Sequence, residues 1–257
     1  MIRIEDIPEL FRKDIPSYYI QASSVDRRLL KGETIKGKKI LNIGCGCYLF
    51  DDIFFAANGA DVTSIDYSKD AIKVAKRRLA EAKKKNMVKG MKIVVDWGDG
   101  RNLKFKDNTF DIVTSFSAIE HMPSAKDRQK AVDEMARVVK PGGIVILTGP
   151  NYLNLPTTFL SGLMYKRLKE FEHRYTPREL RTMMKKSSLK IERYDAESVY
   201  VIDKRLVETR LPFLSFVPNV FFLPLSLSLR MLNAAPFLKK FGMRMGYKAR
   251  KEMNIAK

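Results

Sequence analysis

The residues best suited to chemistry in this sequence are two glycines, an aspartate that follows them and two histidines. Gly44 and Gly46 come directly after an apolar run, where the chain must turn sharply and let a ligand approach bare backbone. Asp66 follows Gly46 by 20 residues. A carboxylate that ends the next strand at about this separation meets ribose hydroxyls. The pattern therefore predicts a nucleoside-binding turn.

The identity of that nucleoside follows from what the turn lacks. A dinucleotide site needs a third small residue, and the third position of GxGxxG is Leu49 here. Asp51 and Asp52 lie early in the next predicted helix, where they would repel a phosphate. The turn therefore disfavours NAD and FAD. It favours a ligand with ribose and adenine but no phosphate, and S-adenosylmethionine is such a ligand.

The two histidines are the candidates for proton transfer. His121, next to Glu120, lies just past the predicted fourth strand, at the carboxyl edge where open α/β sheets bind ligands. A neutral imidazole there can accept a proton from an acceptor hydroxyl, with Glu120 tuning it. The alternative is that both residues only order the loop. His173 is a second candidate base, and a structural contact ahead of the following helix explains it equally well.

Alternating strands and helices must position these residues. Apolar runs and helical periodicity predict five strands and three helices in the first 150 residues: strands near 39–43, 61–65, 91–95, 110–115 and 143–148, and helices near 50–58, 69–86 and 125–138. Ser68 is a predicted helix cap, Thr176–Glu179 is a capping box with Pro177 at the first helical position, and Leu189–Tyr194 is a sixth strand. The alternation predicts a parallel sheet covered on both faces.

Five segments, in this order and spacing, resemble the class I S-adenosylmethionine-dependent methyltransferases, in particular the small-molecule type 11 group: ILNIGCG (40–46), VTSID (62–66), WGDGRNLKF (97–105), FDIVTSFSAIEHM (110–122) and VVKPGGIVILTGPN (138–151). The resemblance implies a Rossmann-like, doubly wound α/β fold with a mostly parallel seven-stranded sheet. Arg244–Arg250 would supply the antiparallel seventh strand. We predict a helical cap (1–36), a cofactor-binding core (37–203), an apolar and basic insertion (204–243) and a last strand with a tail (244–257).

The resemblance also assigns roles within the cofactor site. Gly44 and Gly46 would line the methionine moiety, Asp66 would bind the ribose hydroxyls, and Asp99 would face the adenine amino group. The segment Ser115 to Ser117 would close the pocket beneath the sulfonium. The predicted cofactor-binding set is Asn42, Gly44, Cys45, Gly46, Asp66, Tyr67, Asp99, Gly100, Ser115, Phe116 and Ser117.

Some positions depart from the family. Asn42 and Tyr48 stand where the family usually has an acid and a glycine, which weakens the anchor for the methionine ammonium and narrows the turn. Ubiquinone-pathway O-methyltransferases carry a similar ExxEH stretch that holds a divalent metal, but Ser117 replaces its first glutamate, so no metal is predicted. The only cysteines, Cys45 and Cys47, lack the ligands for a structural zinc site and are too close for an ordinary disulfide. We interpret them as small residues beside the cofactor in a reducing cytosol.

An uncharged, apolar segment spans residues 211–229. Its length would allow a membrane span, but Pro212, Pro218 and Pro224 each remove a helical donor that lipid cannot replace. A buried lid or dimer face, or a surface that dips into a membrane or grips a lipid tail, are the other interpretations. Basic residues on both sides of the segment favour the last, because they attract anionic head groups. We therefore expect a cytoplasmic protein, without a signal peptide, that contacts the membrane peripherally.

The formal net charge of +19 also fits a nucleic-acid partner. The chain lacks the (D/N)PP(Y/F) tetrapeptide of exocyclic-amine methylation and the cysteine of cytosine methylation, although ribose methylation stays open. The sequence thus predicts methyl transfer from S-adenosylmethionine to a small or lipid-linked acceptor, at oxygen. The alternatives are an RNA methyltransferase and a catalytically silent cofactor-binding or membrane scaffold. The acceptor and the oligomeric state are not indicated.

Overall fold

Seven strands form one sheet in the computed structural model, which describes residues 7–11, 25–154, 158, 171–197 and 241–253. The strands are β1 (Lys39–Ile43), β2 (Asp61–Asp66), β3 (Lys92–Trp97), β4 (Phe110–Phe116), β5 (Val139–Pro150), β6 (Leu189–Ala196) and β7 (Arg244–Lys251). Their order is β3-β2-β1-β4-β5-β7-β6. Strands β1 to β5 pair in parallel, and β7 pairs antiparallel with both of its neighbours. The predicted seventh strand is confirmed.

Helices cover both faces of this sheet. They are α1 (Phe50–Ala57), α2 (Lys69–Lys84), α3 (Ala125–Val138) and α4 (Pro177–Lys186), with 3-10 turns at Glu9–Phe11 and Ile119–His121 and a helical stretch at 25–29. One apolar cluster joins α1, α2 and residues from 7–11 and 25–30 to the sheet, and a second joins α3 and α4 to it. The Rossmann-like doubly wound fold is therefore confirmed.

Local sequence explains why two of these helices form. The Ser68 hydroxyl accepts a hydrogen bond from the Ala71 N–H at 3.1 Å, and α2 then buries one stripe at helical spacing, Ile72, Ala75, Leu79 and Ala82. The Thr176 hydroxyl accepts from the Glu179 N–H at 3.2 Å, with Pro177 at the first helical position of α4. Both predicted caps are confirmed.

Strand β5 starts at Val139, earlier than predicted. Phe110 of β4 pairs with Val139, but Ile112 pairs with Ile144, so the chain around Pro141 bulges out of the ladder. Proline has no N–H to donate to a ladder, which explains a bulge at this point. The predicted strand began near residue 143, so Pro141 and Gly142 belong to the strand rather than preceding it.

Part of the predicted organisation lies outside the described residues, including most of the helical cap and the insertion up to residue 240. The division into four segments remains a prediction. Within the part of the chain that the structure describes, no helix combines the length and the apolar character that crossing a membrane requires.

The strand order places one crevice at the centre of the sheet. The chain runs from β1 to β2 on one side and reaches β4 on the other, so the carboxyl ends of β1 and β4 flank a topological switch point. Ligands of open α/β sheets bind at such a point. The glycine turn leaves β1 here, and the 3-10 turn with Glu120 and His121 follows β4.

Candidate functional site

The glycine turn is held firmly on one side and open on the other. Gly44 has φ +81°, and a Cβ added to it would lie 2.0 Å from the Ala118 Cβ. The N–H groups of Gly44 and Cys45 donate to the Ile65 carbonyl at 2.8 and 3.1 Å. Gly46 has φ +60°, yet an added Cβ would meet nothing within 4 Å. The turn therefore fits closely against the loop after β4 and faces open space at Gly46.

Asp66 joins the turn to the start of α2. Its Oδ2 accepts the Gly46 N–H and its Oδ1 accepts the Ser68 N–H, both at 2.8 Å. A carboxylate offers about four lone-pair sites, so each oxygen keeps capacity for a further donor. The 20-residue spacing in the sequence thus corresponds to a direct contact between the two halves of the motif. Asp66 can receive the two ribose hydroxyls without giving up either backbone contact.

An aromatic and charged group extends the site past the ends of β2 and β3. The Tyr67 ring, 63% exposed, lies 6.2 Å from the Trp97 ring and 5.5 Å from the Arg101 guanidinium. Arg101 donates to the Asp99 carboxylate from Nε at 2.9 Å and Nη2 at 2.8 Å, which lowers the pKa of Asp99. An adenine contact to Asp99 would add to this pair. Sequence reasoning missed Trp97 and Arg101, although both lie in the quoted segment WGDGRNLKF.

Three other predicted residues support the site from below. Gly100 lies under the turn, because a Cβ added to it would be 3.0 Å from Ile43. Asn42 is buried, and its Nδ2 donates to the Asp52 carboxylate at 2.9 Å. Cys45 is buried, and desolvation raises the pKa of its thiol far above its usual range, so this cysteine is an unreactive small residue.

The predicted segment Ser115 to Ser117 spans the end of β4 and the first residue after it. The Phe116 ring points into the core and lies 6.2 Å from the Phe55 ring. Ser115 is fully buried, and its hydroxyl has no hydrogen-bonding partner. Ser117 adopts φ +51° and donates its N–H to the Thr148 carbonyl at 3.2 Å. A buried hydroxyl without a hydrogen-bonding partner is uncommon, because leaving it unsatisfied costs free energy.

Glu120, one of the predicted catalytic residues, has a buried carboxyl. It is 1% exposed, and its Oε2 has no hydrogen-bonding partner. Desolvation raises its pKa to about 7, against lesser opposing effects of His121 and Arg244. Its backbone carbonyl accepts the His173 N–H at 2.9 Å, which ties the segment before α4 to this turn.

The two histidines make protein contacts instead. His121 is exposed, and its Nδ1 lies 3.0 Å from the Phe171 carbonyl, so this nitrogen carries the proton and donates. His173 Nε2 lies 2.7 Å from the Glu179 carboxylate, and its ring packs edge-on against Tyr175 at 4.9 Å. These contacts agree with the ordering role that the sequence left open for both residues.

The residues present fit a nucleoside without phosphate. The backbone is open at Gly46, and Asp66 keeps free lone pairs. The first turn of α1, where a phosphate would dock, instead buries the carboxyls of Asp51 and Asp52. These observations match the predicted S-adenosylmethionine better than a dinucleotide.

Comparison with known proteins also indicates a methyltransferase. Residues 41–147 match the family model described as "Methyltransferase domain". Demethylmenaquinone methyltransferase from Staphylococcus epidermidis is 33% identical over 123 residues, which cover 47% of this chain and 46% of that protein. Its counterpart from Staphylococcus aureus is 32% identical over 133 residues, 51% of each chain. The chain thus matches about half the length of these curated relatives.

Solved structures share the fold at lower identity. A putative sarcosine dimethylglycine methyltransferase from Galdieria sulphuraria has a TM-score of 0.62 at 18% identity, covering 91% of this chain and 86% of that one. An S-adenosylmethionine-dependent methyltransferase from Methanosarcina mazei has a TM-score of 0.61 at 20% identity, covering 90% and 98%. At these identities the likeness concerns the fold alone.

Proposed function

Because residues 41–147 form a class I S-adenosylmethionine-dependent methyltransferase domain of the type 11 group, we propose that this protein transfers the cofactor's methyl group to a small or lipid-linked acceptor. We further propose that the methylated atom is an oxygen and that Glu120 receives its proton. His121 and His173 then order the loop around Glu120.

The observation that carries this proposal is the state of Glu120. Its carboxyl is buried, lacks a hydrogen-bonding partner at Oε2 and has a pKa of about 7. A general base works best when its pKa lies near the operating pH, because it is then both available and strong enough. Glu120 also follows β4 directly, at the edge where the crevice opens.

Methyl transfer requires little from the protein beyond placement and proton removal. When bound, S-adenosylmethionine supplies a methyl group on a sulfonium, which is already activated for displacement. Glu120 accepts the proton of the acceptor hydroxyl while that oxygen bonds to the methyl carbon and the carbon–sulfur bond breaks. Asp66 and the glycine turn hold the nucleoside in line.

Two features support a lipid-linked acceptor. The curated relatives are named for demethylmenaquinone, a lipid-soluble quinone. The sequence also carries the apolar residues 211–229 between basic segments, which suits contact with an isoprenoid tail or an anionic membrane.

The test is methyl transfer from radiolabelled S-adenosylmethionine to a short-chain, reduced demethylmenaquinone. We expect Glu120→Gln to lower turnover by roughly a hundredfold while calorimetry shows unchanged cofactor affinity. His121→Ala is the matched control and should retain most activity. NMR of the product separates a methoxy group from a ring methyl. A fully active Glu120→Gln variant would refute the assigned role.

Liposome flotation at low and high salt, beside an RNA titration, tests the partner. Apolar insertion survives salt, whereas phosphate contacts weaken as counterions compete. We expect binding to anionic vesicles to persist in part at high salt and to be lost when Phe221 and Phe222 are both changed to Asp. Salt-sensitive RNA binding without vesicle binding would favour the RNA enzyme instead.

A further inference from the structure

A second cavity lies between helices α3 and α4, and we call it the α3–α4 cleft. The described residues that line it belong to these two helices and to the Thr176 cap of α4. They do not include any residue assigned above to the cofactor or to proton transfer. The cleft has a volume of about 760 Å³, which is within the range of small-molecule sites.

The described lining of the cleft carries more positive than negative charge. Its two acids are hydrogen-bonded to other groups: Asp133 accepts from Gln129 Nε2 at 3.0 Å and from the Ser187 hydroxyl at 2.6 Å. Glu179 lies 2.7 Å from His173 Nε2. In the described part of the chain, no carboxylate forms an ion pair with any of the five cations in the lining, Lys126, Arg128, Lys130, Arg178 and Lys186.

Arg128 brings a buried positive charge to the wall of the cleft. Its side chain is only 4% exposed, its Nη1 donates to the Met122 and Pro123 carbonyls at 2.7 and 3.0 Å, and its Nε has no hydrogen-bonding partner. The guanidinium stays charged at any physiological pH, and neutral carbonyls do not cancel that charge. A buried charge without a counter-charge costs free energy, which an anion in the cleft would reduce.

Both helices begin at the same edge of the sheet. Strands β5 and β6 are each antiparallel to β7 and therefore run in the same direction. Since α3 leads into β5 and α4 leads into β6, both helices start at the carboxyl edge of these strands. Lys126 and Arg178 are the second residues of α3 and α4. The partial positive charges of two helix starts therefore add to the charges of these side chains.

We infer that the α3–α4 cleft binds the phosphate group of an organic phosphate ester, with Lys126 and Arg178 donating to its oxygens and Arg128 supplying fixed positive charge. A phosphate offers three strong acceptor oxygens and suits several donors at once, whereas a carboxylate offers two. The volume exceeds that of a phosphate ion, and Met183 adds an apolar contact for the rest of the ligand. This site goes beyond the proposed function and does not depend on it.

Two probes with the same phosphate group test this inference. Glycerol 3-phosphate is soluble, and phosphatidic acid presents that group on phosphatidylcholine vesicles. We expect binding of at least one probe, measured by calorimetry or by flotation, to fall roughly tenfold or more when Lys126→Gln and Arg178→Gln are combined. The matched control combines Lys73→Gln and Arg77→Gln, which removes the same charge from exposed positions of α2 and should change binding little.

The two probes also distinguish the source of the phosphate. A selective loss with glycerol 3-phosphate would identify a soluble ester, and a selective loss with vesicles alone would identify a lipid head group. Either result supports the site. Binding of neither probe by the wild-type protein, or an equal fall in the two double variants, would overturn it.

Calorimetry with S-adenosylhomocysteine keeps this test separate from the proposed function. Both double variants should bind it as the wild-type protein does, which also shows that they are folded. If the wild-type protein failed to bind S-adenosylhomocysteine but bound a phosphate probe through the cleft, the proposed function would be wrong and the cleft site would stand.

Discussion

The two sides of the crevice treat charge in opposite ways. On the adenosine side, at the ends of β2 and β3, Asp99 is only partly buried and is held by Arg101, which lowers its pKa. On the acceptor side, at the ends of β4, β5 and β7, the carboxyls of Asp26, Asp51, Glu120 and Glu197 are buried, and desolvation raises the pKa of each.

This difference separates carboxylates suited to binding a ligand from carboxyls suited to proton transfer. A carboxylate with a protein partner stays ionised, orders its loop and leaves ligand recognition to hydrogen-bond geometry. A carboxyl that is buried away from water and has a pKa near 7 can exchange a proton or respond to an incoming cation. Burying such a group costs free energy of folding. Among the described residues, the buried carboxyls with raised pKa values thus lie on the side of the crevice where the methyl group and the acceptor are proposed to meet.

We expect the largest loss of stability from a substitution at Gly44, where the glycine turn packs against the loop after β4. In Gly44→Val the Cβ would lie 2.0 Å from the Ala118 Cβ on a backbone with φ +81°. We expect a loss of about 4 kcal/mol in the free energy of unfolding, measured in urea. Gly46→Ala has open space around the new Cβ and should lose about 1 to 2 kcal/mol, from the left-handed backbone alone. Similar losses in both would contradict the close contact.

Two acids should contribute to stability with opposite pH dependence: one whose pKa burial raises and one whose pKa an arginine lowers. The pKa of Glu120 rises from 4.5 to about 7 on folding, so its contribution is full below pH 4.5 and is lost as the pH rises through 7. Glu120→Gln stays neutral and should exceed the wild-type protein by up to about 3 kcal/mol at pH 9.

Glu134, whose pKa Arg137 lowers, provides the contrast. Its contribution is present above the unfolded pKa and is lost as the pH falls through the lower folded value. Glu134→Gln should therefore be less stable than the wild-type protein at neutral pH, and the difference should shrink in acid. Urea unfolding at several pH values measures both variants. If the stability difference from the wild-type protein changed with pH in the same direction for both variants, the contrast between the two acids would be wrong.

Loss of Asp66 should affect binding more than folding. Asp66→Ala removes the acceptor for two backbone N–H groups and for the ribose, so we expect S-adenosylmethionine affinity to fall by roughly a hundredfold in calorimetry. Asp61→Ala, at the opposite end of β2 in an exposed pair with Lys92, should bind normally. Unchanged affinity in Asp66→Ala would exclude the ribose contact.

The smallest effect is expected at Asp99. Asp99→Asn leaves Arg101 with Asp127 as a second partner at 3.2 Å. We expect under about 1 kcal/mol of lost stability, reduced further by added salt, because the pair is partly solvated. Thermal unfolding at two salt concentrations measures it. A loss of stability that salt does not reduce would mean that the charges on the adenosine side are as little solvated as those on the acceptor side.

The sequence by itself determined the features that depend on neighbours along the chain. The glycine turn with Asp66, the caps at Ser68 and Thr176, and the alternation of strands and helices all follow from local backbone chemistry and periodicity. The prediction that the last strand is antiparallel is also confirmed, but it rests on the resemblance to the methyltransferase family. The early start of β5 was not foreseen, because the bulge depends on its register with β4.

Only the tertiary structure decided which acids matter on the acceptor side. Glu120 is buried whereas its neighbour His121 is exposed, and nothing in their shared motif distinguishes them. Asp26 and Arg244 meet from near the two ends of the chain. Hydration sets the pKa of a carboxyl, and hydration depends on which distant elements cover it, so this chemistry could be read only from the folded chain.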